Sequence, residues 1–326
     1  MDSAEFAEGK KETVMKIRTI LATSLFMAVS GALMASSMTT REQANLTVIQ
    51  EWNREVFRDR QVELGASKYM AEDYITHNIN VPSGRQAFAT FLTNLFKDPA
   101  GLSYLDARTA GATPAPRNPA NPLPPPIEFA KGDFVVMVNP REARDPADPS
   151  KTYRYTTYGA TYVENGKVKE HWDYAQKVQG RSLGGGPDGI DYDKVKFDFT
   201  AQEQKNVAVA NLLFKDILQY GHTELAEKIM APSYIQHNPT IATGRAAFVE
   251  FFSRIRKPEP IKAEWKDKPK LTIASGPYVF YVFKRMEKDP DDSTKAYPAY
   301  WFDMVRVEDG VIHEHWDSAM KNPPGR

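Results

Sequence analysis

The sequence predicts an α+β fold made twice, each half opening with three helices and continuing into a strongly curved antiparallel sheet. Three observations lead there. Short motifs recur in the same order in both halves, apolar residues at helical spacing come first, and β-branched and aromatic runs joined by tight-turn residues come last. Helices followed by antiparallel strands is the α+β pattern.

Tyr74-Ile75-Thr76-His77-Asn78 matches Tyr234-Ile235-Gln236-His237-Asn238, and Gly84-Arg85-Gln86-Ala87-Phe88 matches Gly244-Arg245-Ala246-Ala247-Phe248. Both pairs stand at the same interval of 160 residues (77 to 237, 84 to 244). Glu170-His171-Trp172-Asp173 matches Glu314-His315-Trp316-Asp317 at 144 (171 to 315). The difference of 16 residues falls on a Pro-rich stretch, 111–126, which can continue neither a helix nor a central strand. These intervals divide the chain into a leader with signal peptide (1–37), a first domain (38–180), a Gly-rich linker (181–197) and a second domain (198–322).

Thr200 with Glu203 three residues on predicts a helix start, before Val207, Val209, Leu212, Leu213, Ile217 and Leu218 at helical spacing. Thr40 and Gln43 play the same part before Leu46, Ile49, Trp52 and Val56. A second short helix is expected at Glu224–Met230. A third follows Gly244-Arg245, with Phe248, Phe251, Phe252 and Ile255 on its buried face; Phe88, Phe91, Leu92, Leu95 and Phe96 are the counterparts. Strands are expected at Leu271–Ala274, Tyr278–Arg285, Tyr297–Val307 and Val311–Met320. Asp309-Gly310 and Asn165-Gly166 make hairpins, because both turn residues tolerate positive φ. A helical layer on a bent sheet leaves a pocket in each half.

Lys plus Arg equals Asp plus Glu at 42 each, so the chain has no electrostatic footprint for nucleic acid or anionic membrane. It has no Cys, which removes disulfides, thiolate nucleophiles and zinc–thiolate sites. Met15-Lys16-Ile17-Arg18 followed by the apolar run 20–35 reads as a secretory signal peptide, with an uncleaved anchor as the alternative. Met1–Val14 are polar and are set aside. The expected location is periplasmic or secreted, with no membrane association after cleavage.

His171 and Asp173 are two apart on a predicted strand and share a face; so do His315 and Asp317. Imidazole and carboxylate on one cavity wall are suited to moving a proton. They serve equally as hydrogen-bonding groups to neighbouring strands, and the pattern does not choose. His77-Asn78 and His237-Asn238 line the cavity or close the loop before the third helix. Arg85 and Arg245 clamp a carboxylate or remain solvated. Trp172 and Trp316 face the other way and need a cover; the other half is the natural one, giving an internal pseudo-dimer. His313, His315 and Asp317 share a face, but residues two apart on a strand diverge and the first half has Lys169 for His313, so no metal site is expected. Phosphate-binding Gly loops, nucleophile elbows and dinucleotide fingerprints do not occur.

The ordered set of Tyr-Ile-x-His-Asn, Gly-Arg-x-Ala-Phe, the Asn-Gly or Asp-Gly hairpin and Glu-His-Trp-Asp resembles the SnoaL-like polyketide cyclases of the nuclear transport factor 2-like superfamily. The resemblance covers nearly all of both halves. It implies a cone-shaped fold with a deep pocket and cofactor-free acid/base chemistry, aldol-type ring closure in the best-known members. Its proton carrier, transferred by motif, is Asp173 and Asp317. Trp301-Phe302-Asp303 resembles the family's Phe-Asp before the hairpin, whereas Gly159 stands at the equivalent place in the first half. The family is usually one domain per chain, so the doubling departs from it. The expected function is acid/base chemistry, of an aldol, cyclase or isomerase type, on a small apolar carbonyl compound. Asp317 moves the proton, and His315, His237 and Asn238 orient the substrate. The alternatives are a non-catalytic exported ligand-binding module and a structural interaction module.

Overall fold

The computed structural model describes residues 38–97, 115, 119–180 and 186–321. The expected leader, parts of the Pro-rich stretch (111–114 and 116–118), linker residues 181–185 and the tail 322–326 lie outside the described residues. The first half runs α1 (Thr40–Asn53), a π-turn (Arg54–Arg58), α2 (Val62–Tyr69), β1 (Met70–Thr76) and α3 (Arg85–Lys97). Strands β2 (Ile127–Lys131), β3 (Phe134–Arg144), β4 (Thr152–Glu164) and β5 (Lys167–Asp173) follow. The second half runs α4 (Ala201–Asn211), a π-turn (Leu212–Ile217), a 3₁₀ turn (Thr223–Leu225), α5 (Ala226–Ile229), β6 (Met230–Gln236) and α6 (Arg245–Ile255). Strands β7 (Leu271–Ser275), β8 (Tyr278–Lys288), β9 (Ala296–Glu308) and β10 (Val311–Asp317) complete it.

Each half holds a five-stranded sheet, in the orders β1-β5-β4-β3-β2 and β6-β10-β9-β8-β7. The expectation of wholly antiparallel sheets is corrected: both are mixed, because β1 lies parallel to β5 and β6 parallel to β10. A parallel pair needs a long crossover, and the helix plus three strands between β1 and β5 supply it. The hairpins form as expected, with φ of 50° and 71° at Asn165 and Gly166 and of 50° and 77° at Asp309 and Gly310.

Capping boxes open α1 and α4. Thr200 accepts from the Glu203 amide and Glu203 accepts from the Thr200 amide, as the sequence predicts. In the first half the pair is Thr39 and Glu42, one residue before the expected Thr40 and Gln43. The second oxygen of each Glu accepts a turn amide of the sheet, Gly132 at 2.7 Å and Gly276 at 3.1 Å, which fixes helix to strands. On α6 only Phe248 is buried; Phe251 and Ile255 are 38% and 59% exposed, against expectation. The helix is apolar over a wider arc than the sheet covers.

One apolar cluster lies beneath the helices of each half. A third joins the halves through the opposite sheet faces: Phe129, Phe134, Tyr158 and Trp172 meet Phe280, Tyr300, Phe302 and Trp316. Ile190, Tyr192, Val195 and Phe197, from the segment joining the halves, pack against it. Polar links reinforce it. Lys131 is buried against Glu203 at 2.7 Å, and Lys177 reaches Asp289 at 2.7 Å.

Candidate functional site

Alternation along β5 sends Glu170 and Trp172 to one face and His171 and Asp173 to the other. Trp172 and Glu170 are fully buried between the halves. His171 and Asp173 line a cavity of about 1020 Å³ in the first half. Trp52, Phe57, Met137, Tyr155 and Tyr174 give it apolar walls, and Pro119, Pro122, Leu123, Pro124 and Pro126 of the Pro-rich stretch form part of its rim. Trp52 meets His171 edge-on at 5.9 Å.

Asn78 holds the carboxylate. Its Nδ2 donates to Asp173 Oδ2 at 3.0 Å, while its Oδ1 accepts from the Asn80 amide at 2.9 Å. Asp173 Oδ1 has no hydrogen-bond partner among the described residues. Asn78 thus closes its own loop and aims the acid with a single side chain.

The second half arranges the same motif differently. Asp303 pairs with Asp317 across β9 and β10, as Gly159 pairs with Asp173 across β4 and β5. The carboxylate that the first half lacks reaches inward here: His315 Nε2 meets Asp303 Oδ1 at 3.0 Å. Asn238 Nδ2 donates to Asp317 Oδ2 at 2.8 Å, and the Ala319 amide donates to Oδ1 at 2.9 Å. Asp303, His315 and Asp317 are only 7%, 3% and 6% exposed. Burial pushes the His315 imidazole toward neutrality, but the Asp303 hydrogen bond and the Asp317 and Asp303 charges outweigh it and raise its pKa. Burial raises the Asp317 carboxyl, opposed by His315 and reinforced by the Asp303 charge. Phe214 packs on the His315 ring at 5.5 Å.

The remaining candidates lie elsewhere. His77 is not on the cavity wall. It stacks on Trp172 at 4.6 Å, on the opposite face of β5, with Nε2 3.0 Å from Glu170. His237 stacks on Trp316 at 4.4 Å with Nε2 2.8 Å from Glu314. Arg85 reaches Glu72 at 3.0 Å and Arg245 the Met230 carbonyl at 3.1 Å; both brace the helix–strand junction, away from the His-Asp face. Glu170 and Glu314 share the face of Trp172 and Trp316 by strand alternation, but no local sequence pattern assigns them a partner. Sequence reasoning also missed Trp52 and Tyr158 as cavity residues, since nothing local in the sequence ties them to the motifs.

No family model matches the chain, and no curated protein matches it. Solved structures do. A provisionally assigned SnoaL-like polyketide cyclase from a Jannaschia species is 15% identical, with a TM-score of 0.28 over 37% of this chain and 88% of its own. A provisionally assigned polyketide cyclase from Bacillus cereus is 19% identical, with a TM-score of 0.28 over 36% and 77%. A nuclear transport factor 2-like protein of unknown function from Mesorhizobium loti is 16% identical, with a TM-score of 0.27 over 36% and 93%.

Proposed function

We propose that the first half moves a proton on a small, mostly apolar carbonyl compound, in the manner of a SnoaL-like aldol, cyclase or isomerase enzyme. The observation that carries this reading is that Asp173, with Oδ1 unpartnered among the described residues, and His171 both line one cavity of about 1020 Å³. Asp173, steadied by Asn78, takes a proton from the carbon next to the carbonyl. His171 supports the enolate oxygen as charge develops there. Trp52, Phe57, Tyr155 and Tyr174 offer ring faces to a flat apolar substrate, and Asn139, Arg141 and Glu142 offer polar contacts beside them. The whole chain is then an exported tandem of two related domains that bury their outer sheet faces against each other as an internal pseudo-dimer.

Incubation with a panel of cyclic ketones in D2O, followed by NMR, tests this. Deuterium should enter the α-carbon with wild-type protein and with Asp317→Asn, and should not with Asp173→Asn. Bound compound with no exchange would identify a ligand-binding module instead, and exchange surviving Asp173→Asn would refute the assignment of the base.

A further inference from the structure

We propose that Asp303, His315 and Asp317 of the second half form a binding site for one small divalent transition-metal cation, of the Zn²⁺, Mn²⁺ or Fe²⁺ class. The site is separate from the first-half cavity and does not rest on the function proposed for it. Antiparallel pairing sets Asp303 directly opposite Asp317, and His315 lies two residues along the same strand. Each side chain offers one ligand atom, and these atoms all lie within 4.8 Å of one another. Ligands on a tetrahedral ion at about 2.1 Å are roughly 3.4 Å apart. The His315–Asp303 separation of 3.0 Å already suits this, and Asp317, held by Asn238 and the Ala319 amide, is the ligand that has to draw in to complete the set.

The energetics favour a cation. Two buried carboxylates share one imidazole, so even a charged His315 leaves the cluster negative and poorly solvated. A second observation is independent of the charge. The His315 Nδ1 and Tyr234 hydroxyl are buried polar atoms without a hydrogen-bond partner among the described residues. Tyr234 is within the electrostatic reach of Asp317 and Asp303. An imidazole nitrogen and a phenol oxygen left unsatisfied in the interior each keep a lone pair that a cation can take. Asn238 supplies the support that metal-binding carboxylates usually have, fixing Asp317 from behind. One nitrogen and two oxygens suit Zn²⁺, Mn²⁺ or Fe²⁺, rather than Ca²⁺ or a thiophilic ion. The first half is an internal control, because Gly159 removes the third ligand there.

The full chain, stripped with chelator and dialysed against Zn²⁺ or Co²⁺, decides the matter by elemental analysis and by the visible absorption of bound Co²⁺. One equivalent per chain and a raised melting temperature are expected. Asp303→Asn, which keeps the side-chain shape, should weaken binding about 100-fold. Asp317→Asn should do the same, while His171→Ala in the other half keeps the full equivalent. Metal-free melting curves verify that the variants fold. Wild-type protein that retains no metal overturns the proposal, as does an unchanged stoichiometry and Co²⁺ spectrum in both Asp variants.

Discussion

A Cβ placed on Gly159 would stand 3.2 Å from His171 Nε2, at the register position where Asp303 contacts His315 in the second half. One missing side chain therefore distinguishes a cavity wall from a packed cluster. Gly159→Asp should close the space beside His171 and reproduce the Asp303–His315 contact. Ligand affinity in the first half should drop by about tenfold or more, while the melting temperature changes little. Ligand titration of the variant beside a melting curve checks both parts.

Asn78→Ala removes the donor to Asp173 and the acceptor for the Asn80 amide together. Loss of two buried hydrogen bonds should cost about 2–4 kcal/mol. Turnover should fall further than the loss of folded protein explains, because the Asp173 carboxylate is no longer oriented. Denaturant midpoints measured beside the α-deuteration rate separate the two effects.

Lys131→Met leaves the buried Glu203 carboxylate without its cation, held only by the Thr200 and Gly276 amides. Breaking such a pair on one side should destabilise by about 3–5 kcal/mol. The double change Lys131→Met with Glu203→Gln should recover part of that loss. Chemical denaturation of the single and double variants measures the recovery.

The carboxylate of Asp188 lies between the halves. Lys284 Nζ is 2.6 Å away, the Tyr300 hydroxyl donates to it at 2.7 Å and the Tyr192 hydroxyl at 3.1 Å, with His77 Nδ1 at 3.9 Å. Burial pushes its pKa up, but Lys284 and the tyrosine hydroxyls prevail and hold it below the ordinary value. A carboxyl depressed on folding stabilises the native state above its unfolded pKa, about 3.9, and the contribution fades as pH falls through the lower folded value. Asp188→Asn should thus melt earlier than wild type at pH 7, with the gap closing below about pH 4. Calorimetry from pH 7 to pH 3 follows it.

Phe302 stacks on Tyr158 across the junction at 5.8 Å, within the apolar cluster shared by both sheets. Wild-type protein should unfold in one calorimetric transition. Phe302→Ala, at about 3–5 kcal/mol, should lower the midpoint and broaden or split the peak as the halves uncouple. A single unshifted transition would contradict the coupling.

Local chemistry was the legible part. Asn165-Gly166 and Asp309-Gly310 could be placed as hairpins because positive φ is a property of two residues. The alternation that separates Trp172 from His171 needed only a strand. Adjacent threonines blurred the start of α1: Thr39 and Thr40 each have a polar residue three positions on, and only folding selects Glu42. Apolar spacing on α6 showed which face is apolar, not how much of it the sheet reaches, so Phe251 and Ile255 were assigned too deep. The pairing of His77 with Glu170 joins residues far apart in sequence, and no local pattern encodes it. The same holds for the parallel pairing of β1 with β5.

That parallel pairing fixes an order of events during synthesis. Thr76 lies beside His171, so β1 leaves the ribosome with β5, its one sheet neighbour among the described residues, still unmade. It has to wait until β2, β3 and β4 have followed. Such distant contacts slow folding, and each half therefore stays open until its final strand arrives. The His-Trp-Asp segment, which carries the candidate site residues, is also the piece whose arrival closes the sheet.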